Sequence, residues 1–128
     1  MNSFDELPWH YATLVDVLID RRVPGHDDRI VLAIDWPGGS RESIEFHECW
    51  MFDAYMDFGI IVPEHVRSAS ALDSDDGLER LRQTWSKSGV QMPRLKCFKI
   101  EMNSTASVLR ITLRDSQFEP DKVSASLE

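Results

Sequence analysis

Apolar and polar residues alternate along Ser43–Asp57, and the rest of the chain is organised around that stretch. Ile44, Phe46, Glu48, Trp50, Phe52, Ala54 and Met56 form one set, apolar but for Glu48. Ser43, Glu45, His47, Cys49, Met51, Asp53, Tyr55 and Asp57 form the other, mostly polar or acidic. A period of two belongs to a half-buried strand, whose successive side chains point to opposite faces. At the helical period, Phe46, Trp50, Asp53 and Asp57 would share a face and mix core with charge. The run is long for one strand, which predicts a bulge or bend near Glu48–Cys49.

The same alternation places two strands ahead of this one. Tyr11–Arg21 sets Thr13, Val15, Val17 and Ile19 on one face, with Leu14 and Leu18 on the other asking for a cover of their own. Arg29–Trp36 alternates Ile30, Leu32, Ile34 and Trp36 with Arg29, Val31, Ala33 and Asp35. Val23–Asp28 and Pro37–Ser40 carry the Pro and Gly that turns need, so the three strands make an antiparallel meander. Ile60, Ile61 and Val62 are interrupted by Pro63 and read as an edge segment, followed by a short strand at Val66–Leu72. Asp76 and Glu79 are a capping pair, Leu78, Leu81 and Trp85 share a helical face, and Gly89 is a stop. They predict one helix from about Gly77 to Ser88.

Leu95–Arg114 reads as a hairpin turning around Ser104-Thr105, which would set Phe98 opposite Ile111 and Ile100 opposite Leu109. The expected fold class is α+β, an antiparallel sheet of five or six strands with one helix packed on it. A single domain spans residues 1–128, with loose ends at about 1–6 and 116–128 and with Trp9 anchoring the start.

Composition changes this picture only by exclusion. With 128 residues, 42 % of them hydrophobic, and four Trp, the chain can bury a core without metal or disulfide staples. The first residues lack a basic start and an apolar run, so no signal peptide is expected, and no stretch reaches membrane-spanning length. Cys49 and Cys97 are too few for a disulfide framework, and a cytoplasmic location with reduced thiols is expected. Charge is uneven. Residues 1–66 hold thirteen Asp/Glu against four Lys/Arg, a balance of −9, and residues 67–128 hold nine against ten, or +1. An acidic half repels nucleic acid and anionic membrane, so neither is an expected partner, and it attracts basic surfaces.

Candidate chemistry is sparse. His47-x-Cys49 with Glu45 would offer zinc ligands on one strand face, but a structural site needs four. No metal and no other cofactor is expected. No nucleophile elbow, zinc-protease or phosphate-loop motif occurs, so no catalytic residue is assigned. Lys99, Arg110 and Arg114, with Lys96 nearby, form a short basic strip broken by Glu101, which reads as a solvated face with diagonal ion pairs. The acidic face remains. Glu45, Asp53 and Asp57 lie on one side of the central strand with His47, Met51 and Tyr55 between them, and Asp28 and Asp35 flank the neighbouring strand. Carboxylates interleaved with an aromatic anchor suit a protein-binding surface. The candidate partner-binding residues are therefore Asp28, Asp35, Glu45, His47, Asp53, Tyr55 and Asp57.

At Trp9–Ala12, Ile34–Gly38, Phe46–Cys49 and Asn103–Ser107 the chain resembles small bacterial immunity proteins encoded beside contact-dependent growth-inhibition and other polymorphic toxins. The family's first motif carries Asp where Tyr11 stands here, so no role passes to that position. The resemblance implies a non-catalytic cytoplasmic protein that binds and blocks a cognate basic toxin domain, often a nuclease. Two other classes stay open from the residues alone. One is a small enzyme or ligand-binding domain using His47 and nearby carboxylates, and the other a structural or adaptor domain.

Overall fold

The alternation across Ser43–Asp57 serves two strands in two different sheets. The computed structural model describes residues 4, 7–73, 76–89, 94–103, 105–114 and 123–125. The strands are β1 (Thr13–Asp20), β2 (Arg29–Asp35), β3 (Arg41–Phe46), β4 (Cys49–Tyr55), β5 (Val66–Leu72), β6 (Leu95–Met102), β7 (Val108–Arg114) and β8 (Val123–Ala125). One helix, α1 (Asp76–Lys87), lies between β5 and β6. The order is β1-β2-β3-β8 in the first sheet and β4-β7-β6-β5 in the second. All the pairings are antiparallel. The α+β class and the helix are as expected, but the single sheet of five or six strands is replaced by two.

The reason is length. A strand from residue 43 to 57 would run ~50 Å, well past neighbours of six to eight residues. Its apolar set would then have no cover. Instead the chain breaks at the expected place. Glu48 takes a left-handed φ of 51°, and the Cys49 N–H donates to the Asp28 carbonyl at 2.9 Å. β4 then starts the second sheet, so Phe46 and Phe52 reach one core from different sheets.

That core joins Ile30, Leu32, Ile34, Ile44 and Phe46 of the first sheet to Phe98, Ile100, Met102, Leu109, Ile111 and Leu113 of the second. Phe4, Trp9 and Trp36 close one side, with ring centroids 4.9 Å apart for Phe4–Trp9 and 5.1 Å for Trp9–Trp36. The Trp9 indole N–H donates to the Phe4 carbonyl at 2.7 Å. Phe4 thus belongs to the core although it falls in the stretch expected to be loose. At the other end of the chain, Val123–Ala125 pair with Ile44–Glu42 and satisfy backbone groups on an open strand edge.

The C-terminal hairpin keeps the expected register, Phe98 opposite Ile111 and Ile100 opposite Leu109. Ser104 of the expected tight turn lies outside the described residues. Val66–Leu72 is a strand, as expected. The helix starts within a residue of expectation, buries Leu78 and packs on β6. Gly89 follows it with φ 75°, the left-handed stop. The side chain of Asp76, the expected cap, lies outside the described residues.

One expectation for β1 is corrected. Its register slips between Leu14 and Asp16, so Leu14 faces Ile34 and Val17 faces Leu32. A bulge shifts which residues point inward. Leu18 is left 56 % exposed, and the cover expected over it is not present among the described residues.

Candidate partner-binding surface

The seven candidate residues do not form one face. Four of them lie in the first sheet or its turns, and each is held by the chain's own charges. Asp28 accepts from the Arg21 Nε at 2.8 Å and from the Gly25 N–H at 3.1 Å, closing the β1–β2 turn. Those bonds, with Arg21 first, hold its carboxyl below the ordinary value. Asp35 accepts two bonds from Arg41, at 2.6 and 2.9 Å, and is lowered by that guanidinium. His47 sits between two carboxylates, with Nδ1 3.2 Å from Asp27 and Nε2 3.3 Å from Glu45. Arg29 reaches the same pair, 3.6 Å from Asp27 and 3.7 Å from Glu45. Burial works against the Asp27 charge, but the Glu48 N–H, His47 and Arg29 together hold its carboxyl below the usual range.

The other three lie along β4 and just beyond it. Asp53 is 3.5 Å from Arg110 across the β4–β7 pair. Tyr55 is 64 % exposed at the end of that strand. The Asp57 N–H donates to the Ser107 hydroxyl at 3.0 Å. The break at Glu48 explains the division. Just past it a bulge at Trp50 breaks period two, so Cys49 and Phe52, from opposite sets, both pack on the core, and the candidates before the break lie on the first sheet and those after it on the second. The residues that sequence reasoning missed are beside the second group. Phe58, Ile60, Ile61 and Val62 are all exposed, and the edge segment expected from the β-branched Ile60, Ile61 and Val62 does not pair as a strand. The signal available was Gly59 and Pro63, which leave too few residues between them to pair.

Two clefts open at the opposite end, where β3 passes to β4. One, of about 280 Å³, is lined by Ile19, Arg29, Trp50 and Phe52 among others. The second, of about 500 Å³, is lined by Trp50 and Trp85 with Arg21, His26, Glu48 and Arg114. The two indoles meet edge to face, with centroids 6.1 Å apart at 89°. His47 lines neither cleft.

The metal-like pair His47-x-Cys49 is also parted by the break. Burial pushes the Cys49 thiol up to about 12, and the charges of Asp27 and Asp28 push the same way. Its Sγ–H donates to the Phe46 carbonyl at 3.3 Å. Among the described residues no group of three or more His, Cys, Asp or Glu side chains is placed to hold a metal ion. A thiol stays unreactive when its thiolate is disfavoured. A thiol reagent is therefore expected to leave Cys49 and Cys97 unlabelled in the folded protein and to label both in denaturant. Rapid labelling of Cys49 without denaturant would contradict this.

The basic strip on β6 and β7 is ion-paired, as expected. Glu101 lies 2.8 Å from Arg67 and 2.9 Å from Lys99. Arg67 and Lys99 hold its carboxyl at about 2, below the ordinary 4.5. Its stabilising effect is then complete above pH 4.5 and is lost as pH falls toward 2. Glu101→Gln is expected to lower stability at neutral pH by under ~1 kcal/mol, since these pairs face solvent. It should also flatten the acid limb inside that window. Urea unfolding across the pH range checks both, and an acid limb identical to wild type would remove Glu101 from the account.

No family model, curated protein or solved structure matches this chain. What the residues define is an α+β domain of two antiparallel sheets and one helix. Four of its candidate carboxylates and imidazoles are held by internal partners, and one group of exposed apolar residues, Phe58 and Ile60–Val62, lies just beyond β4, with another, Val15, Leu18, Ile19 and Val23, along and after β1. Among the described residues no helix is long and apolar enough to cross a membrane.

Proposed function

We propose that this protein is an immunity-type inhibitor, a cytoplasmic binding protein that neutralises a cognate basic toxin domain of the nuclease class. One observation carries the reading. Tyr55 stands exposed at the end of β4, an edge strand of the second sheet, with Asp53 two residues before it and Asp57 two residues after. A large amphipathic side chain flanked by carboxylates is the usual composition of a binding anchor with charge steering. The −9 balance of residues 1–66 adds a longer-range attraction for a cationic partner. Asp28, Asp35, Glu45 and His47 take the lesser part of shaping that field, since their contacts are internal. Inhibition follows from occlusion, because a domain seated over a nuclease's basic cleft excludes the nucleic acid.

The test is co-expression with the product of the gene immediately upstream, followed by growth measurement and calorimetry on the purified pair. Rescue of growth with a nanomolar complex supports the reading, and neither rescue nor complex ends it. A ligand-binding role has its own observation, the cleft of about 500 Å³ lined by Trp50 and Trp85. Its size is within the range of small-molecule sites, and saturable binding of a small molecule there would favour it.

A further inference from the structure

Phe58 is 84 % exposed and Ile61 fully so, with Ile60 and Val62 about half exposed beside them. Burying one such side chain is worth ~1.5–3 kcal/mol, so this stretch holds back a large share of apolar surface from the core. It does so on a fixed base. At one foot the Asp57 N–H donates to the Ser107 hydroxyl at 3.0 Å. At the other the Thr105 hydroxyl donates to Glu64 at 2.6 Å, and the Thr105 and Ser107 hydroxyls are 2.6 Å apart. Backbone bonds tie the same foot down. The Leu14 N–H donates to the Glu64 carbonyl at 2.9 Å and the Asn103 N–H to the His65 carbonyl at 2.8 Å. Both feet therefore rest on the turn between β6 and β7. Gly59, at φ 92°, supplies the left-handed bend that turns the apolar residues outward. A pre-ordered base reduces the entropy lost on binding.

Charge selects what the loop meets. From Trp50 to Val66 the chain carries Asp53, Asp57 and Glu64 and no Lys or Arg. A two-fold contact between copies would set these carboxylates against each other, since the same patch is used twice. An anionic membrane is repelled for the same reason. A protein surface bearing Lys and Arg is attracted. We infer that the Phe58–Val62 loop is an apolar plug that enters a hydrophobic cleft on a partner protein, with Asp57 and Glu64 meeting Lys and Arg on its rim. The inference rests on the partner-binding reading and adds which residues enter the partner and what they meet there.

The experiment uses the full chain, isotopically labelled, and three probes followed by amide chemical shifts. They are a synthetic amphipathic peptide of leucine and lysine, its leucine and glutamate counterpart, and vesicles of phosphatidylglycerol. The lysine peptide is expected to shift amides at Asp57–Glu64, and the other two probes to leave them in place. Ile61→Ser is expected to weaken the lysine peptide about tenfold with an unchanged thermal melt, because Ile61 packs on nothing. No binding, equal binding of both peptides, shifts centred on Trp50 and Trp85, vesicle binding, or an Ile61→Ser affinity equal to wild type would each overturn the plug. Loss of the toxin reading would leave this peptide result standing. Growth rescue that survives an inert Ile61→Ser would remove the plug alone.

Discussion

Phe46→Ala is expected to lower the unfolding free energy by ~3–5 kcal/mol, while Phe58→Ala changes it by less than ~0.5 kcal/mol. Each follows an acidic residue in the sequence, Glu45 or Asp57, and the fold sets the two apart sharply. Phe46 is fully buried at the end of β3, beside the break that sends the chain into the second sheet. Its ring lies 5.7 Å from Phe98 and 6.3 Å from Phe4, so it touches the opposite sheet and the N-terminal cap together. Truncation would leave a void between two backbones that are fixed by their own ladders and cannot close on it. Each aromatic pair lost adds ~0.5–1.5 kcal/mol beyond the area term. A domain of this size has only ~5–15 kcal/mol in all, so the variant should unfold at markedly lower urea. Phe58 has no such partners. Urea midpoints for the two variants decide the matter, and similar losses would mean that the loop is packed or that the core lies elsewhere.

Reversing Asp53 and Asp57 to Lys together should slow association with the proposed basic partner by about ten- to a hundredfold at low salt. The structure makes these two the informative carboxylates. Asp28 and Asp35 accept from Arg21 and Arg41 at 2.8 and 2.6 Å, so reversing them would break the protein's own turns as well. Asp53 holds Arg110 only loosely, at 3.5 Å, and its side chain is about half exposed. Asp57 is fixed through its backbone N–H, which the substitution keeps. Glu79→Lys on the helix provides the control, because Glu79 pairs with Arg82 on an exposed helix face and changes the net charge in the same sense. Stopped-flow rates should fall for the double variant, stay near wild type for Glu79→Lys, and converge at high salt. Equal slowing by Glu79→Lys would assign the effect to net charge instead of to this face.

The fold was legible wherever local chemistry and partner agreed. Leu95–Arg114 carried its register in the sequence, because one pairing alone puts Phe98, Ile100, Leu109 and Ile111 on one side. The helix was legible from Leu78, Leu81 and Gly89. The second sheet was not, because alternation is the same on both sides of Glu48 and nothing in a glutamate announces a left-handed φ. Gly, Asn or Asp would have flagged that break. The slip between Leu14 and Asp16 is equally silent, since Val15 is a good strand residue whether bulged or paired.

The candidate surface shows the same limit. Period two correctly put Asp53 and Tyr55 on one side, and Glu45 with His47 on one side, but it carried them onto a common face across a corner. Ion pairing was invisible for a different reason. Arg21 and Asp28, or Arg41 and Asp35, meet across turns whose geometry the residue types permit without specifying.

The central claim is that partner binding occurs at the end of β4 and just beyond it, at Asp53–Val62, and not in the cleft lined by Trp50 and Trp85. Amide hydrogen exchange of the protein alone and in complex with the proposed toxin partner tests it most directly. The account predicts slowed exchange at Tyr55, Asp57 and the Phe58–Val62 loop, with the β1–β2 turn unchanged. Protection confined to the β1–β2 turn, the β3–β4 passage and the end of α1 would contradict it.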